Sequence, residues 1–347
     1  MKTKTLMGLA LLAVLGGAFF IAKSKAQSAQ TAPPGHRQLT LTVGGLERRC
    51  LVHLPPGYEK AKPLPLVIML HGMGGTAINS LRETGWSAKA DAEKFIVAYP
   101  EGTRPDETKP PSLRSNAQAW NDGSGRFHAA ERKIDDVAFL RALLDKLSAD
   151  NAIDARRIFV AGFSNGASMC FRVGAELADR IAAIAPDAGA CWTEVLQPAR
   201  AISLCYFAGT ADTLNPMEGG FPKLALGGAD QGGKAKPAVI ANIAKWAKAL
   251  GCPEAPALDE TKNGVRSRRY GPGRDGAEVV FITIEGLSHH WAGGVSQAPE
   301  FLVGKNTDKL KATDVAWNFF EKHPAPEPAA GEASSRGRDG GRQTRLP

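Results

Sequence analysis

Residues 162–166 read Gly162-Phe163-Ser164-Asn165-Gly166. The preceding run, Arg157-Ile158-Phe159-Val160-Ala161, is apolar enough for a buried strand, and Ala167-Ser168-Met169-Cys170-Phe171-Arg172-Val173 continues as a helix. Glycines two residues either side of a serine at such a junction point to a tight, strained turn. A side chain at either glycine would collide with neighbouring backbone. The turn lifts the serine Oγ above the sheet and leaves the next backbone N–H at a helix N-terminus, where it can stabilise an anion. Ser164 is the candidate nucleophile. The plainer reading is a tight turn with an N-capping serine.

Around this unit, short apolar runs alternate with helical patterns. Gln38–Val43 and Arg48–Leu54 read as antiparallel strands turning at Gly44-Gly45. Leu64–Leu70 is almost wholly apolar, as a central parallel strand requires. Phe95–Tyr99, Ile181–Ala185, Ile202–Phe207 and Glu278–Ile284 read as further strands, and Asp135–Leu147, Pro237–Leu250 and Asp308–Glu321 as helices. The alternation argues an α/β fold, a doubly wound and mostly parallel sheet with helices on both faces. Residues 101–132 are polar and rich in Pro, Gly, Ser and Asn, which predicts a long surface excursion.

The chain has 347 residues, room for one large domain, and a formal net charge of +8. Part of the excess sits at the two ends, and no basic helix or Lys/Arg–aromatic interleaving appears, so nucleic acid is not an expected partner. Lys2 and Lys4 precede an uncharged apolar run, Leu6–Ala22, and Ser24-Lys25-Ala26 offers small residues for cleavage. Residues 1–26 therefore read as a signal peptide that directs a secreted or periplasmic protein, with an uncleaved membrane anchor as the alternative. Residues 27–37 read as a linker, 38–323 as the catalytic domain and 324–347 as a disordered tail. Five cysteines leave at least one unpaired in a monomer, and their spacings match no metal site.

A nucleophilic serine needs a base and an orienting acid, with the order Ser, acid, His in such a sheet. Catalytic loops follow the carboxyl ends of the parallel strands. Asp212 follows the strand ending at Phe207, and His289 and His290 follow the one ending at Ile284. Asp187 is a competing acid, and Asp212 has a simpler reading as a turn cap. His71 reads as a residue that orders its loop. The second N–H of an oxyanion hole, beside that of Asn165, is expected from the glycine-rich loop after Leu70, at Met73 or at Gly72 or Gly74.

Taken together, Pro55-Pro56-Gly57-Tyr58, Leu70-His71-Gly72, Ala119-Trp120-Asn121, Asp135-Asp136-Val137, the Ser164 elbow, Gly209-Thr210-Ala211-Asp212 and His289-His290-Trp291 occur in a telling order. Over about 39–320 the chain resembles the poly(3-hydroxybutyrate) depolymerase and feruloyl esterase family of carbohydrate esterase family one-like α/β-hydrolases. The resemblance implies Ser164 as nucleophile, Asp212 as acid and Met73 as an oxyanion donor. A histidine two positions before tryptophan selects His289 over His290. Leu287-Ser288 and Trp291-Ala292-Gly293 depart from the family's usual glycines and Trp-Pro-Gly. Cys252 matches a family cysteine whose usual partner position falls near Gly273, which implies an unpaired thiol.

The expected activity is serine esterase chemistry on a small or oligomeric ester, with no metal, no cofactor and no stable protein partner. The candidate substrates are hydroxyalkanoate oligomers and hydroxycinnamoyl or acetyl esters of polysaccharide. A serine peptidase and a non-catalytic binding protein of the same fold are the alternatives. Trp120, Pro216, Glu218, Gly219 and Trp291 are the candidate substrate-binding residues, Trp120 because an aromatic in a polar excursion needs a reason to leave water.

Overall fold

The computed structural model describes residues 32–222, 234–296 and 298–327. The signal-peptide reading and most of the linker and tail lie outside the described residues. In chain order the elements are β1 (His36–Val43), β2 (Leu46–His53), β3 (Leu64–Leu70), α1 (Ala77–Thr84), α2 (Trp86–Glu93) and β4 (Ile96–Pro100). There follow α3 (Phe127–Glu131), α4 (Asp136–Asp150), β5 (Ile153–Phe163), α5 (Asn165–Glu176), β6 (Ala183–Asp187) and β7 (Ser203–Gly209). The chain closes through α6 (Val239–Leu250), β8 (Leu258–Lys262), β9 (Val265–Tyr270), β10 (Val279–Ile284), α7 (Glu300–Val303) and α8 (Ala312–Lys322).

The ten strands form one sheet in the order β1-β2-β4-β3-β5-β6-β7-β10-β9-β8. The six from β4 to β10 run parallel, and antiparallel pairs close both edges. Alternate residues of β3 feed opposite faces. Leu66, Ile68 and Leu70 pack toward α4, α5 and α6, while Val67 and Met69 pack with residues of α2 and α8. Burial on both sides explains why β3 is a continuous apolar run. On the α8 face, Trp317 stacks on Phe95 at 3.9 Å and Phe320 on Phe159 at 4.6 Å.

The expected boundaries shift slightly. β1 begins at His36, inside the stretch read as linker. Beyond residue 323, Ala325 is still buried and its N–H donates to Arg156 O. All five cysteines are free and buried. A Cβ built on Gly273 would lie 2.8 Å from Cys252 Sγ, so position 273 faces the Cys252 thiol.

Winding reverses between β3 and β5. The chain adds β4 on one side of β3 and then crosses to β5 on the other. Crevices at such switch points are where open α/β sheets hold their ligands.

Candidate active site

β5 ends at Phe163 and α5 starts at Asn165, so Ser164 alone makes the turn, at φ 55° and ψ −116°. That backbone is strained for a residue with a Cβ. It is held by the Ser164 N–H donating to Asp187 O at 2.9 Å and by Ser168 N–H donating to Ser164 O at 3.0 Å. The flanking glycines are dictated by contact. A Cβ on Gly162 would sit 2.3 Å from Gly166 O, and one on Gly166 would sit 2.3 Å from Leu70 O.

Asp212 lies just after β7 and His289 in the loop after β10. Thr210 N–H donates to Ile284 O and Ala211 N–H to Leu287 O, at 3.0 Å each, which brings the two loops together. His289 Nδ1 is 2.8 Å from Asp212 Oδ2, and His289 Nε2 is 2.8 Å from Ser164 Oγ. The other Asp212 oxygen accepts the Leu214 and Asn215 N–H groups at 2.8 Å each. One carboxylate thus both caps the turn and faces the imidazole. Burial opposes its charge. The facing His289, the Asn215 N–H and the Lys236 ammonium outweigh that cost and hold the carboxyl below its ordinary range. An ionised Asp212 can only accept, so the imidazole proton sits on Nδ1 and Nε2 is left to accept from the Ser164 hydroxyl.

The adjacent histidine points elsewhere, with His290 Nε2 on Gly304 O at 2.8 Å. Asp187, the competing acid, ends β6 beneath the site. Its Oδ2 accepts Ala292 N–H at 3.1 Å, and its Oδ1 has no partner among the described residues. Complete burial, with the nearby Asp212 charge, drives its carboxyl well above the ordinary range. Through its bond to Ala292 N–H, Asp187 supports the histidine loop.

The loop after β3 runs past Ser164. Gly74 N–H donates to Gln118 O at 2.7 Å, while the N–H groups of Met73 and Asn165 have no protein acceptor among the described residues. His71 shapes the loop. Its Nε2 accepts Gly102 N–H at 2.9 Å, so its proton lies on Nδ1, which donates to Gly72 O at 2.7 Å. Burial pushes this imidazole down to about 4, so it stays neutral. The Asn165 side chain is as important as its N–H. Its Oδ1 accepts Trp120 N–H at 2.8 Å, and its Nδ2 donates to Asp122 Oδ2 at 2.8 Å.

Ser164 and His289 open on a cavity of about 420 Å³ lined by Met73, Phe127, Phe163, Leu214, Phe221 and Trp291 among others.

Comparison with known proteins assigns the chain to a family. The model of the family described as Esterase PHB depolymerase matches residues 49–215. NocK of Nocardia uniformis subsp. tsuyamanensis, named a candidate esterase, is 30% identical over 298 residues, covering 81% of this chain and 81% of NocK. The chain belongs to that esterase family. Feruloyl esterase B of Piromyces equi is 31% identical over 253 residues, 70% of this chain but only 42% of that enzyme. Among solved structures, an S-formylglutathione hydrolase from Agrobacterium tumefaciens superposes with a TM-score of 0.52 at 12% identity, over 86% of this chain and 99% of the other. That likeness shows the fold, which is that of the α/β-hydrolases.

Within this esterase, two expectations for the cavity are corrected. Trp120 does not border it. The ring is 0% exposed, its Nε1 donates to His71 O at 2.9 Å and it packs 5.0 Å from the His71 ring. It holds the loop from beneath. Pro216, Glu218 and Gly219 stand outside the lining as well. They form a turn, with Gly219 N–H on Pro216 O at 2.9 Å, and Gly220 then bridges to Lys236. Trp291 does line the cavity, anchored by Nε1 on Thr313 Oγ1 at 3.0 Å. Sequence reasoning missed Arg126, Phe127, Phe221 and Lys236. Arg126, Phe221 and Lys236 lie in irregular segments, and Phe127 opens the five-residue helix α3, too short for periodicity to mark an inward side chain. Phe127 takes φ 67°, a left-handed backbone for a bulky residue that no pattern announces.

Proposed function

We propose that this esterase hydrolyses carboxylic esters through an acyl-enzyme formed on Ser164. The observation that carries the reading is the unbroken chain of two 2.8 Å contacts from Ser164 through His289 to Asp212, at the wall of the cavity. His289 Nε2 takes the hydroxyl proton as Oγ attacks the ester carbonyl. Asp212 keeps the imidazole in its tautomer and stabilises the imidazolium. The tetrahedral oxyanion rests on the N–H groups of Asn165 and Met73, the first at the N-terminus of α5. The intermediate collapses, His289 protonates the leaving alcohol, and water repeats the sequence on the acyl-enzyme to release the acid and regenerate Ser164.

For substrate class, relatives named as feruloyl esterases and a poly(3-hydroxyalkanoate) depolymerase C of Paucimonas lemoignei support hydroxycinnamoyl esters and hydroxyalkanoate oligomers as the first compounds to assay. Export, inferred from residues 1–26, is checked by the mass of the recovered protein. Cleavage after Ala26 is expected, and an intact N-terminus in the membrane fraction would mean an anchor.

The mechanism is tested with p-nitrophenyl acetate beside p-nitrophenyl palmitate and a peptide anilide. Turnover of the short ester is expected, falling by several orders of magnitude in Ser164→Ala. His289→Ala should match the serine variant, while His290→Ala keeps substantial activity. A Ser164→Ala protein retaining about a tenth of wild-type turnover would eliminate the acyl-enzyme route.

A further inference from the structure

Lys236 is a cation in an unusual place. Its side chain lies inside the cavity that holds Ser164 and is only 8% exposed. A two-residue antiparallel bridge to Gly220 fixes its backbone, with paired N–H···O bonds of 2.8 and 2.9 Å. Its ammonium donates to Asn215 Oδ1 at 3.1 Å. No carboxylate lies within ion-pair distance of it among the described residues. A buried ammonium ordinarily has a charged partner, because an unpaired one is costly to keep out of water.

The surrounding network holds that state in place. Tyr206 Oη donates to Gly189 O at 2.6 Å, so it accepts from Asn215 Nδ2 at 3.0 Å. This turns the Asn215 carbonyl, and not its amide, toward Lys236. Asp212 is occupied by His289 and two backbone N–H groups.

A second cation lines the same cavity. Arg126 is mostly buried, and its Nε has no partner among the described residues. Its nearest carboxylate, Asp122, stands 3.5 Å from Nη2 and already accepts from Asn165 and Ser124. The Arg126 guanidinium is braced between the rings of Phe127 and Trp192, at 5.1 and 5.2 Å. One cation with no ion-pair partner among the described residues and a second held by a single 3.5 Å pair, both beside apolar walls, suit a ligand with an anion at one end and carbon along its length.

We propose that Lys236 and Arg126 form a carboxylate-binding subsite, and that this enzyme acts on esters bearing a free carboxylate a short distance from the scissile bond. The proposal rests on the ester-hydrolase reading and narrows it. A linear hydroxy-acid oligomer presents that anion at its acid end. An acetyl or hydroxycinnamoyl ester of a neutral sugar presents none.

The test uses the full-length protein and two matched pairs near neutral pH. 3-(Butyryloxy)butyrate against its methyl ester, read by butyrate release, places the carboxylate on the leaving alcohol. Mono-4-nitrophenyl glutarate against its methyl ester places it on the acyl group. In at least one pair the acid should be favoured about tenfold or more in kcat/KM, chiefly through KM, as a charge-assisted contact warrants. Lys236→Met should bring that ratio close to one. Wild-type ratios at or below one in both pairs overturn the proposal, whether or not the variant folds.

Calorimetry on Ser164→Ala supplies a readout free of turnover. The acid of the favoured pair should bind about tenfold tighter than its methyl ester, and equal binding counts against the subsite. If wild type cleaves no ester in either pair and no p-nitrophenyl acetate, the hydrolase reading falls. The calorimetric difference then decides the subsite by itself.

Discussion

Asp187 ends β6 and Asp212 follows the neighbouring β7, and both are buried, yet their carboxyls are shifted in opposite directions, Asp187 up and Asp212 down. What separates them is the partner each oxygen meets. Asp212 has a facing imidazole and two backbone donors, which reward ionisation. Asp187 has one backbone donor and an unpartnered oxygen in a dry site. Asp212→Asn should therefore reverse the His289 tautomer and lower kcat by about ten-thousandfold. Asp187→Asn keeps an acceptor for Ala292 N–H and should cost less than about tenfold, on the same ester. A larger loss at Asp187 would move the orienting acid there. The two also differ in their effect on stability. A raised carboxyl binds its proton more tightly in the folded chain, so its contribution declines as pH rises above the ordinary value of about 4. The melting temperature of Asp187→Asn, measured relative to wild type, should rise between about pH 4 and pH 8.

Among the elements, the β5–α5 elbow gives the clearest opposition of forces. Gly166 sits in the first turn of α5, where alanine would gain about 1 kcal/mol of helix propensity. The added Cβ would meet Leu70 O at 2.3 Å, and both the β3 strand and the helix are too well packed to move aside. Overpacking of this kind costs about 1–3 kcal/mol, so Gly166→Ala should melt earlier and lose activity together. A variant more stable than wild type would show that the close approach is relaxed. This elbow was legible because its constraint is local, five residues and their immediate neighbours. The parallel strands were legible for a related reason, since double-sided burial writes a continuous apolar run. α1 and α2 were not. The buried positions of α1 are Ala77, Ser80 and Thr84, and those of α2 are Trp86 and Ala90, so neither helix shows an apolar stripe. The β8–β9 hairpin escaped because every residue of the edge strand β8 is exposed and both strands are charged, β8 carrying Asp259, Glu260 and Lys262, which suit a guarded sheet edge, and β9 carrying Arg266, Arg268 and Arg269. In the candidate site, Ser164, Asp212 and the His289–His290 pair follow strand ends, so chain order pointed to them, while the choice of His289 over His290 came from the family resemblance. Arg126 and Lys236 line the cavity from loops and Phe127 from the start of the short α3, and their inward aim depends on contacts made across the fold.

Across the whole molecule, buried charge ties distant parts of the chain to the candidate site. Arg48 on β2 reaches Asp136 at the start of α4, 2.6 Å away with both side chains buried. The second Asp136 oxygen accepts Asn121 N–H at 2.7 Å, next to the Trp120 that holds Asn165. Asp136→Asn would leave Arg48 as an uncompensated buried charge, a change that costs about 3–5 kcal/mol. It should lower the melting temperature by several degrees and loosen the Trp120–Asn165 contact, with kcat falling further than in a surface control.

Lys236 is a buried charge at the cavity itself, and here the sign of its titration gives a prediction. Burial and the neighbouring Arg126 push its ammonium down to about 8, against the attraction of Asp212 and Asp122. A lysine with a lowered value is charged below it and neutral above it. Its attraction for a substrate carboxylate is therefore full near pH 6 and fades as pH passes about 8, while Arg126 stays charged. Raw rates mix this loss with the other pH-dependent steps of catalysis and with the intrinsic reactivity of the ester. Both cancel when each acid is divided by its own methyl ester at every pH. The acid-to-ester ratio of kcat/KM should thus decline from about pH 6 to pH 9 in wild type, with its midpoint near 8. In Lys236→Met it should be low and flat. A wild-type ratio that stays high and level through pH 9 would assign carboxylate recognition to Arg126 alone.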